Sequence, residues 1–194
     1  MAESGGRQMI AAPIDTVQLR RSLGSFATGI TIVTTRGPAG NPIGLTVNSF
    51  NAVSLEPPLV LWSLSNHAAS YEAFARSARF AVNVLAQGQQ HLSERFARTG
   101  GDKFVGIDWR DGAAGVPLLE GTVASFICRN SFRHPGGDHL IMVGEVIAHE
   151  CSDRSPLVYA NGRYVEIRSF ESVIPHDQQT PSESNPVKAL SKRS

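Results

Sequence analysis

Residues 44–64 of this chain read GLTVNSFNAVSLEPPLVLWSL. An extended apolar segment passes into a run of small hydroxyl and amide side chains, reaches a Pro57-Pro58 corner and enters a second apolar strand. β-Branched and aromatic residues favour strands, and proline does not occur inside central ones. The polar run offers many short hydrogen-bonding groups and almost no charge. It suits the polar edge of a flat heteroaromatic ligand better than a metal or a nucleophile.

The apolar pattern around this segment predicts more strands than helices. Strands are predicted at residues 30–35, 43–50, 59–64, 80–85, 121–133, 139–149 and 163–169, with hairpin turns at 134–138 and 161–162. The first of three short helices is capped by Asp15, turns Phe26 inward and ends at Gly29. The other two are predicted at residues 69–78 and 89–98. Strands and helices do not alternate regularly, so a mainly β, antiparallel barrel with a few short packing helices fits best.

Length and composition indicate one globular domain. The chain has 194 residues, of which 41% are hydrophobic, and a net charge of +1. Scattered Lys and Arg argue against nucleic-acid binding and against a polybasic membrane surface. No apolar run approaches the ~20 residues that span a bilayer. We expect a flexible arm at residues 1–13, a folded domain at 14–171 and a disordered tail, rich in Pro, Ser, Gln and Asn, at 172–194.

Several catalytic signatures are missing from the sequence. There is no GxGxxG fingerprint between a strand and a helix, no Walker loop, no GxSxG elbow and no HExxH. The six histidines are dispersed, so no metal site is predicted. Cys128 and Cys151 lack a metal-ligand spacing and are expected to be free thiols, and the N-terminus lacks a secretory apolar core. These features predict a cytoplasmic protein.

Short blocks in a fixed order carry a family resemblance. The blocks are FATGITIVTT (26–35), GLTVNSF (44–50), PPLVL (57–61), RFAVNVL (79–85), DKF (102–104), PLLEG (117–121), GDH (137–139), VGEV (143–146), PLVY (156–159) and GRY (162–164). Together they resemble the short-chain flavin reductase family, the reductase components of two-component flavin-dependent monooxygenases. The resemblance implies a Greek-key-like, FMN-binding split β-barrel and a homodimer. It also implies reduction of FMN or FAD by NADH or NADPH, with reduced flavin passed to a separate oxygenase.

The resemblance and the residues together suggest a flavin site. Residues 65–70 form a loop that enters a helix, where exposed N–H groups favour a phosphate, although the Asn66–Ala69 stretch departs from the commoner serine-rich family pattern. The resemblance adds Lys103 as the cation for that phosphate and Tyr164 as an aromatic near the nucleotide. The predicted flavin-binding residues are Thr31, Thr46, Val47, Asn48, Ser49, Ser65, Asn66, Ser70, Lys103, Phe104 and Tyr164.

His139 follows a Gly-Gly-Asp turn at the start of a strand. The resemblance places it beside the flavin, where the nicotinamide stacks, so that it positions and polarises the reactants as the predicted catalytic residue. Hydride transfer needs stacked rings rather than a protein nucleophile. The alternative is a turn histidine that bonds to Asp138.

Three other functions stay open at this point. They are a barrel that holds FMN tightly for electron transfer without reductase activity, an oxidase of a pyridoxal-type phosphate, and a non-enzymatic interaction barrel. The choices between NADH and NADPH and between FMN and FAD are also open. Arg36, Arg133 and Arg163 are candidates to hold a 2′-phosphate.

Overall fold

A computed structural model of the protein describes residues 13–168. The predicted arm, apart from Pro13, and the predicted tail lie outside this range. The helices are α1 (Thr16–Gly24), α2 (Tyr71–Arg76) and α3 (Gln90–Ala97). The strands are β1 (Thr28–Gly29), β2 (Thr31–Arg36), β3 (Pro42–Val47), β4 (Asn51–Leu55), β5 (Pro58–Ser65), β6 (Arg79–Val84), β7 (Trp109–Asp111), β8 (Pro117–Leu119), β9 (Ala124–Gly136), β10 (His139–Cys151), β11 (Val158–Ala160) and β12 (Arg163–Val165). Within the described range no helix has the length and apolar character needed to cross a membrane.

Seven strands form the main antiparallel sheet, in the order β3-β2-β6-β9-β10-β5-β4. Its two edge strands follow each other along the chain, because β3 ends at Val47 and β4 begins at Asn51. A flat sheet of this width would separate its edges by about 29 Å, whereas such a short connection spans about 14 Å at most. The sheet therefore curls until its edges approach each other. This confirms the predicted antiparallel split barrel.

Two apolar clusters lie on opposite faces of β2. On one side Trp62 makes edge-to-face contacts with Phe74, at 5.2 Å between ring centroids, and with Phe80, at 5.8 Å. On the other side Phe96 of α3 packs with Ile32 and Leu119. Since both faces of β2 are covered, five consecutive residues of this strand are buried. Helix α3 thus closes the barrel next to β3.

Several predicted element boundaries are wrong. Helix α1 ends at Gly24, and Thr28–Gly29 instead pairs with β11. Phe26 does not face the core and is 73% exposed, because no described element covers α1. The strand predicted at 43–50 ends at Val47, and the polar segment after it contains the unpredicted edge strand β4. The last strand stops at Val165, and the long hairpin turns on Gly137 and Asp138 alone.

Candidate functional site

A cavity of about 550 Å³ opens between β3, the turn before α2, and the loop that follows α3. We call it the lysine cavity. Four of the predicted flavin-binding residues line it, namely Thr46, Ser70, Lys103 and Phe104. It is thus formed by three segments that are far apart in the sequence, which the curl of the barrel brings together.

Lys103 is held inside this cavity by backbone carbonyls. Its Nζ donates to the carbonyl of Phe96 at 2.9 Å and to that of Gly44 at 3.4 Å. Desolvation by burial lowers the pKa of this ammonium below its usual value. An ammonium has three N–H donors, so one remains for an anion in the cavity. An anion there would also offset the desolvation of the charged lysine.

The turn before α2 forms another wall of the lysine cavity. Ala68, Ala69 and Ser70 line it, and the Ser70 hydroxyl makes no capping bond to α2. The preceding residues are held on the β9–β10 hairpin instead. Ser65 Oγ accepts from the amide of His67 at 3.3 Å, while Asn66 donates from its side chain to Gly137 O at 3.3 Å. Ser65 and Asn66 therefore do not line the cavity, whereas Ser70 does.

Three predicted residues stabilise the walls of the cavity, Thr31 and Tyr164 from behind and Thr46 from its lining. Thr31 is buried, and its hydroxyl donates to Val47 O at 3.1 Å across the β2–β3 pair. Thr46 donates to Ser93 O at 2.7 Å, and the Tyr164 hydroxyl donates to Ser93 Oγ at 3.0 Å. Ser93, a buried residue of α3, is not among the predicted site residues. A small polar residue beside Leu92 on an apolar helix face is the only sequence signal for it.

The polar run after β3 faces a second cavity, of about 960 Å³, between that run and α1. We call it the arginine cavity, because Arg20 and Arg21 line it together with Asn48, Ser49, Phe50 and Tyr159. Ser49 Oγ accepts from the amide of Ser63 at 2.9 Å, which fixes the run to β5. Asn48 is exposed at the cavity surface. Six of the eleven predicted flavin-binding residues thus line one of the two cavities, four the lysine cavity and two, Asn48 and Ser49, the arginine cavity. The other five line neither, namely Thr31, Val47, Ser65, Asn66 and Tyr164.

His139 begins β10 directly opposite Ser65 of β5. Its Nδ1 lies 2.7 Å from Asp138 Oδ1, and its side chain is 41% exposed. The hydrogen bond to His139, followed by the charge of that ring, lowers the pKa of the Asp138 carboxyl. Asp138 therefore occupies Nδ1, which leaves Nε2 as the nitrogen available to a ligand. The contact satisfies the turn-histidine alternative and is equally compatible with a catalytic histidine held in place.

The model of the flavin reductase like domain family matches residues 23–168. The chain belongs to this family. The FMN reductase (NADH) SmoA of Agrobacterium fabrum is 46% identical over 145 residues, which are 75% of this chain and 82% of that protein. HsaB, the reductase subunit of a flavin-dependent monooxygenase of Rhodococcus jostii, is 41% identical and covers 89% of each chain.

A solved structure extends the comparison to the fold. The Streptomyces globisporus NADH:FAD oxidoreductase SgcE6, in complex with NAD and FAD fragments, has a TM-score of 0.77 at 39% identity. The match covers 83% of this chain and 98% of that one. The family, the fold and the predicted function, reduction of a flavin by a reduced nicotinamide, are confirmed.

The residues of this flavin reductase fit a flavin nucleotide. Such a ligand needs an anion site for its phosphate and polar groups for its pyrimidine edge, beside an apolar surface for its ring. Lys103 and the Ser70 hydroxyl meet the first need in the lysine cavity. At the connection after β3, the side-chain amide of Asn48 offers polar groups for the pyrimidine edge, and Phe50 offers an apolar surface for the ring. The donor set therefore fits the ligand that the family name implies.

Two of the arginines considered for a 2′-phosphate are already engaged. Arg36 donates to Gly40 O at 2.8 Å and to Gly115 O at 2.9 Å, and it pairs with Asp111. Arg133 donates to Ser77 O at 2.9 Å. Arg163 is exposed on β12. A guanidinium that already bonds several acceptors has few donors left for a phosphate.

Proposed function

We propose that Lys103 and Ser70 bind the flavin phosphate in the lysine cavity and that the ring system extends towards Asn48 and Ser49. The observation that carries this proposal is the half-buried Lys103 ammonium, which two carbonyls hold at the cavity wall. Buried charges need a counter-charge or several hydrogen bonds, and a phosphate supplies both. Thr31 and Tyr164 then act from behind the cavity, and Thr46 from its lining, by fixing β3 and α3.

The proposed reaction is reduction of FMN or FAD by NADH. A bound flavin supplies the hydride acceptor at its N5 atom. His139 orients the nicotinamide against the flavin, and Asp138 holds the imidazole through Nδ1. The protein contributes binding and alignment, and no side chain has to form a covalent bond. NADH is proposed over NADPH because the relatives SmoA and SgcE6 are named as NADH-dependent enzymes, and because the guanidinium of Arg36 is already bonded to the protein's own acceptors.

The reduced flavin passes to a separate monooxygenase in this proposal. Support comes from HsaB, whose name describes the reductase subunit of a flavin-dependent monooxygenase. The alternative, a barrel that holds FMN tightly for electron transfer, predicts a yellow protein that does not turn over added flavin. The phosphate site argues for exchange, since the lysine cavity is open to solvent along a glycine-containing loop, residues 98–104.

We further propose a homodimer in the cytoplasm. The apolar side chains of Val17, Leu23 and Phe26 on and after α1 are more than half exposed, and such a patch favours a protein partner. Both cysteines are free thiols, which suits a reducing compartment. Light scattering on the purified chain tests the dimer. A mass of one chain at micromolar concentration would contradict it.

The deciding experiment follows NADH and NADPH oxidation at 340 nm with FMN, FAD or riboflavin in excess. Turnover that depends on added flavin and is faster with NADH supports the proposed function. A yellow protein without turnover would favour the electron-transfer alternative. Faster turnover with NADPH would contradict only the choice of nicotinamide.

A further inference from the structure

Arg36, at the end of β2, joins three separate segments. Its Nη1 donates to Gly40 O in the turn between β2 and β3 at 2.8 Å, and its Nε donates to Gly115 O before β8 at 2.9 Å. Its Nη2 pairs with the Asp111 carboxylate at the end of β7. The planar guanidinium can serve several acceptors at fixed angles, which a lysine cannot. None of these acceptors belongs to a ligand site, so the fork holds the protein's own loops.

The same guanidinium stacks over the first of three aromatic side chains in series, Trp109, Phe104 and Phe96, which lead to the lysine cavity. Its Cζ lies 5.3 Å from the ring centroid of Trp109. Trp109 contacts Phe104 edge to face at 5.6 Å, and Phe104 contacts Phe96 at 5.1 Å. Phe96 carries the carbonyl that accepts from Lys103 at 2.9 Å. Four packed contacts therefore connect Arg36 to the ammonium in the cavity.

Arg36 also fixes the opposite rim of this cavity. Its bond to Gly40 O orders the turn whose next residues, Asn41 and Pro42, line the lysine cavity. Gly40 has a φ of 78°, in the left-handed region, and the turn is closed by a bond from Gly37 N to Asn41 O at 2.8 Å. Lys103 itself lies in a loop in which Gly100 and Gly101 also have positive φ. A loop of this kind has little rigidity of its own and depends on neighbouring packing.

We infer that Arg36, acting through Trp109 and Phe104, is the positioning residue that holds the Lys103 ammonium where the flavin phosphate binds. This rests on the proposed phosphate site. The functional consequence is discrimination between flavins. Arg36 contributes to binding of FMN and FAD, which carry the phosphate, and not to binding of riboflavin, which lacks it. Arg36 lines neither cavity, and the inferred route of its effect on the phosphate runs through Lys103.

The test compares dissociation constants for FMN and riboflavin in three single variants. Arg36→Met and Arg36→Lys remove the fork, and we expect each to weaken FMN binding about tenfold, the size of a lost charge-assisted hydrogen bond, with riboflavin unchanged. Arg110→Met is the matched control. Arg110 is the neighbour of Trp109 in β7 and bridges Glu120 at 2.9 Å and Glu150 at 2.6 Å, yet it does not line the lysine cavity. It should leave the FMN-to-riboflavin ratio unchanged.

A double-mutant cycle with Lys103→Met separates positioning from general stability. If Arg36 acts through Lys103, Arg36→Met causes no further loss of FMN affinity once Lys103 is replaced. Independent losses in the double variant would overturn the inference, and so would an unchanged ratio in both Arg36 variants. If Lys103→Met alone leaves the ratio unchanged, the proposed phosphate site fails as well. Arg36→Lys keeps the charge and supplies the readout if Arg36→Met does not fold.

Discussion

The approach of β3 to α3 can be tested at a single glycine. An ideal Cβ on Gly44 would lie 2.6 Å from Phe96 Cε1, 2.8 Å from its Cδ1 and 3.4 Å from Thr34 Cγ2. Ordinary carbon contacts lie near 3.5–4.0 Å, so Gly44→Ala overlaps the ring by roughly 1 Å. Phe96 is buried and packs edge to face against Phe104, so any withdrawal of its ring disturbs that contact.

We expect Gly44→Ala to destabilise the fold by about 1–3 kcal/mol, the usual cost of overpacking a core. For a domain of this size that corresponds to a fall in Tm of about 2–4 °C per kcal/mol. The same shift moves the two carbonyls that hold Lys103, those of Gly44 and Phe96, so FMN affinity should fall with it. Thermal unfolding followed by circular dichroism and FMN titration measure the two effects.

Gly88→Ala provides the matched control for this variant. No atom lies within 4 Å of an ideal Cβ at Gly88, and its φ is not in the left-handed region. Replacing such a glycine stabilises a protein by about 0.4–1 kcal/mol through the unfolded state. The two Gly→Ala changes should therefore have opposite signs. A Gly44→Ala protein as stable as Gly88→Ala, with wild-type FMN affinity, would refute the proposed packing of α3 on β3.

Three further outcomes are expected. Since burial lowers the pKa of Lys103, FMN affinity should fall as the pH is raised through that pKa and the ammonium becomes neutral, while riboflavin affinity stays level. Titrations from neutral pH up to the usual pKa of lysine measure both affinities. A Lys103→Met protein with the same FMN profile would contradict this. His139→Ala should lower the rate of NADH oxidation at saturating flavin by about tenfold or more and leave the FMN dissociation constant nearly unchanged. Unchanged turnover would show that His139 is not part of the site. Burial raises the pKa of the Cys128 thiol to about 12, which keeps this thiol unreactive. A thiol reagent should therefore modify the exposed Cys151 in the native protein and Cys128 only after unfolding. Rapid labelling of Cys128 in the native protein would contradict its burial.

The sequence was sufficient for the fold class because strand signals are local. β-Branched runs such as residues 30–35 specify a strand without help from the rest of the chain. Elements at the edge of the fold were harder to predict from the sequence. Strand β4 consists of Asn51–Leu55, is mostly exposed and owes its conformation to pairing with β5. Helix α1 looked amphipathic, but no described element covers its apolar face. Local patterns cannot show whether a partner surface exists.

The candidate site was predictable in its parts and not in its arrangement. Family blocks pointed to Lys103 and Thr46, and the loop that enters a helix pointed to Ser70; the structure places all three around one cavity. The blocks could not show that the hydroxyls of Thr46 and Tyr164 donate hydrogen bonds to Ser93. Hydrogen bonds between distant segments produce no recognisable pattern in the local sequence. The role of Arg36 was hidden for the same reason. A lone arginine at a strand end looks like a free cation until its three acceptors are known.

The three-residue connection from Val47 to Asn51 is where the barrel closes, and it is also where the chain presents the polar groups of Asn48 and Ser49 to the arginine cavity. Closure of the barrel and recognition of the ligand therefore depend on the same few residues. One additional residue here would shift the polar groups and release the edges of the sheet together, whereas the Gly137-Asp138 tip can lengthen without affecting closure. For engineering, the connection is a segment of fixed length, whereas an insertion at the hairpin tip would leave closure intact and disturb Asp138, which holds His139.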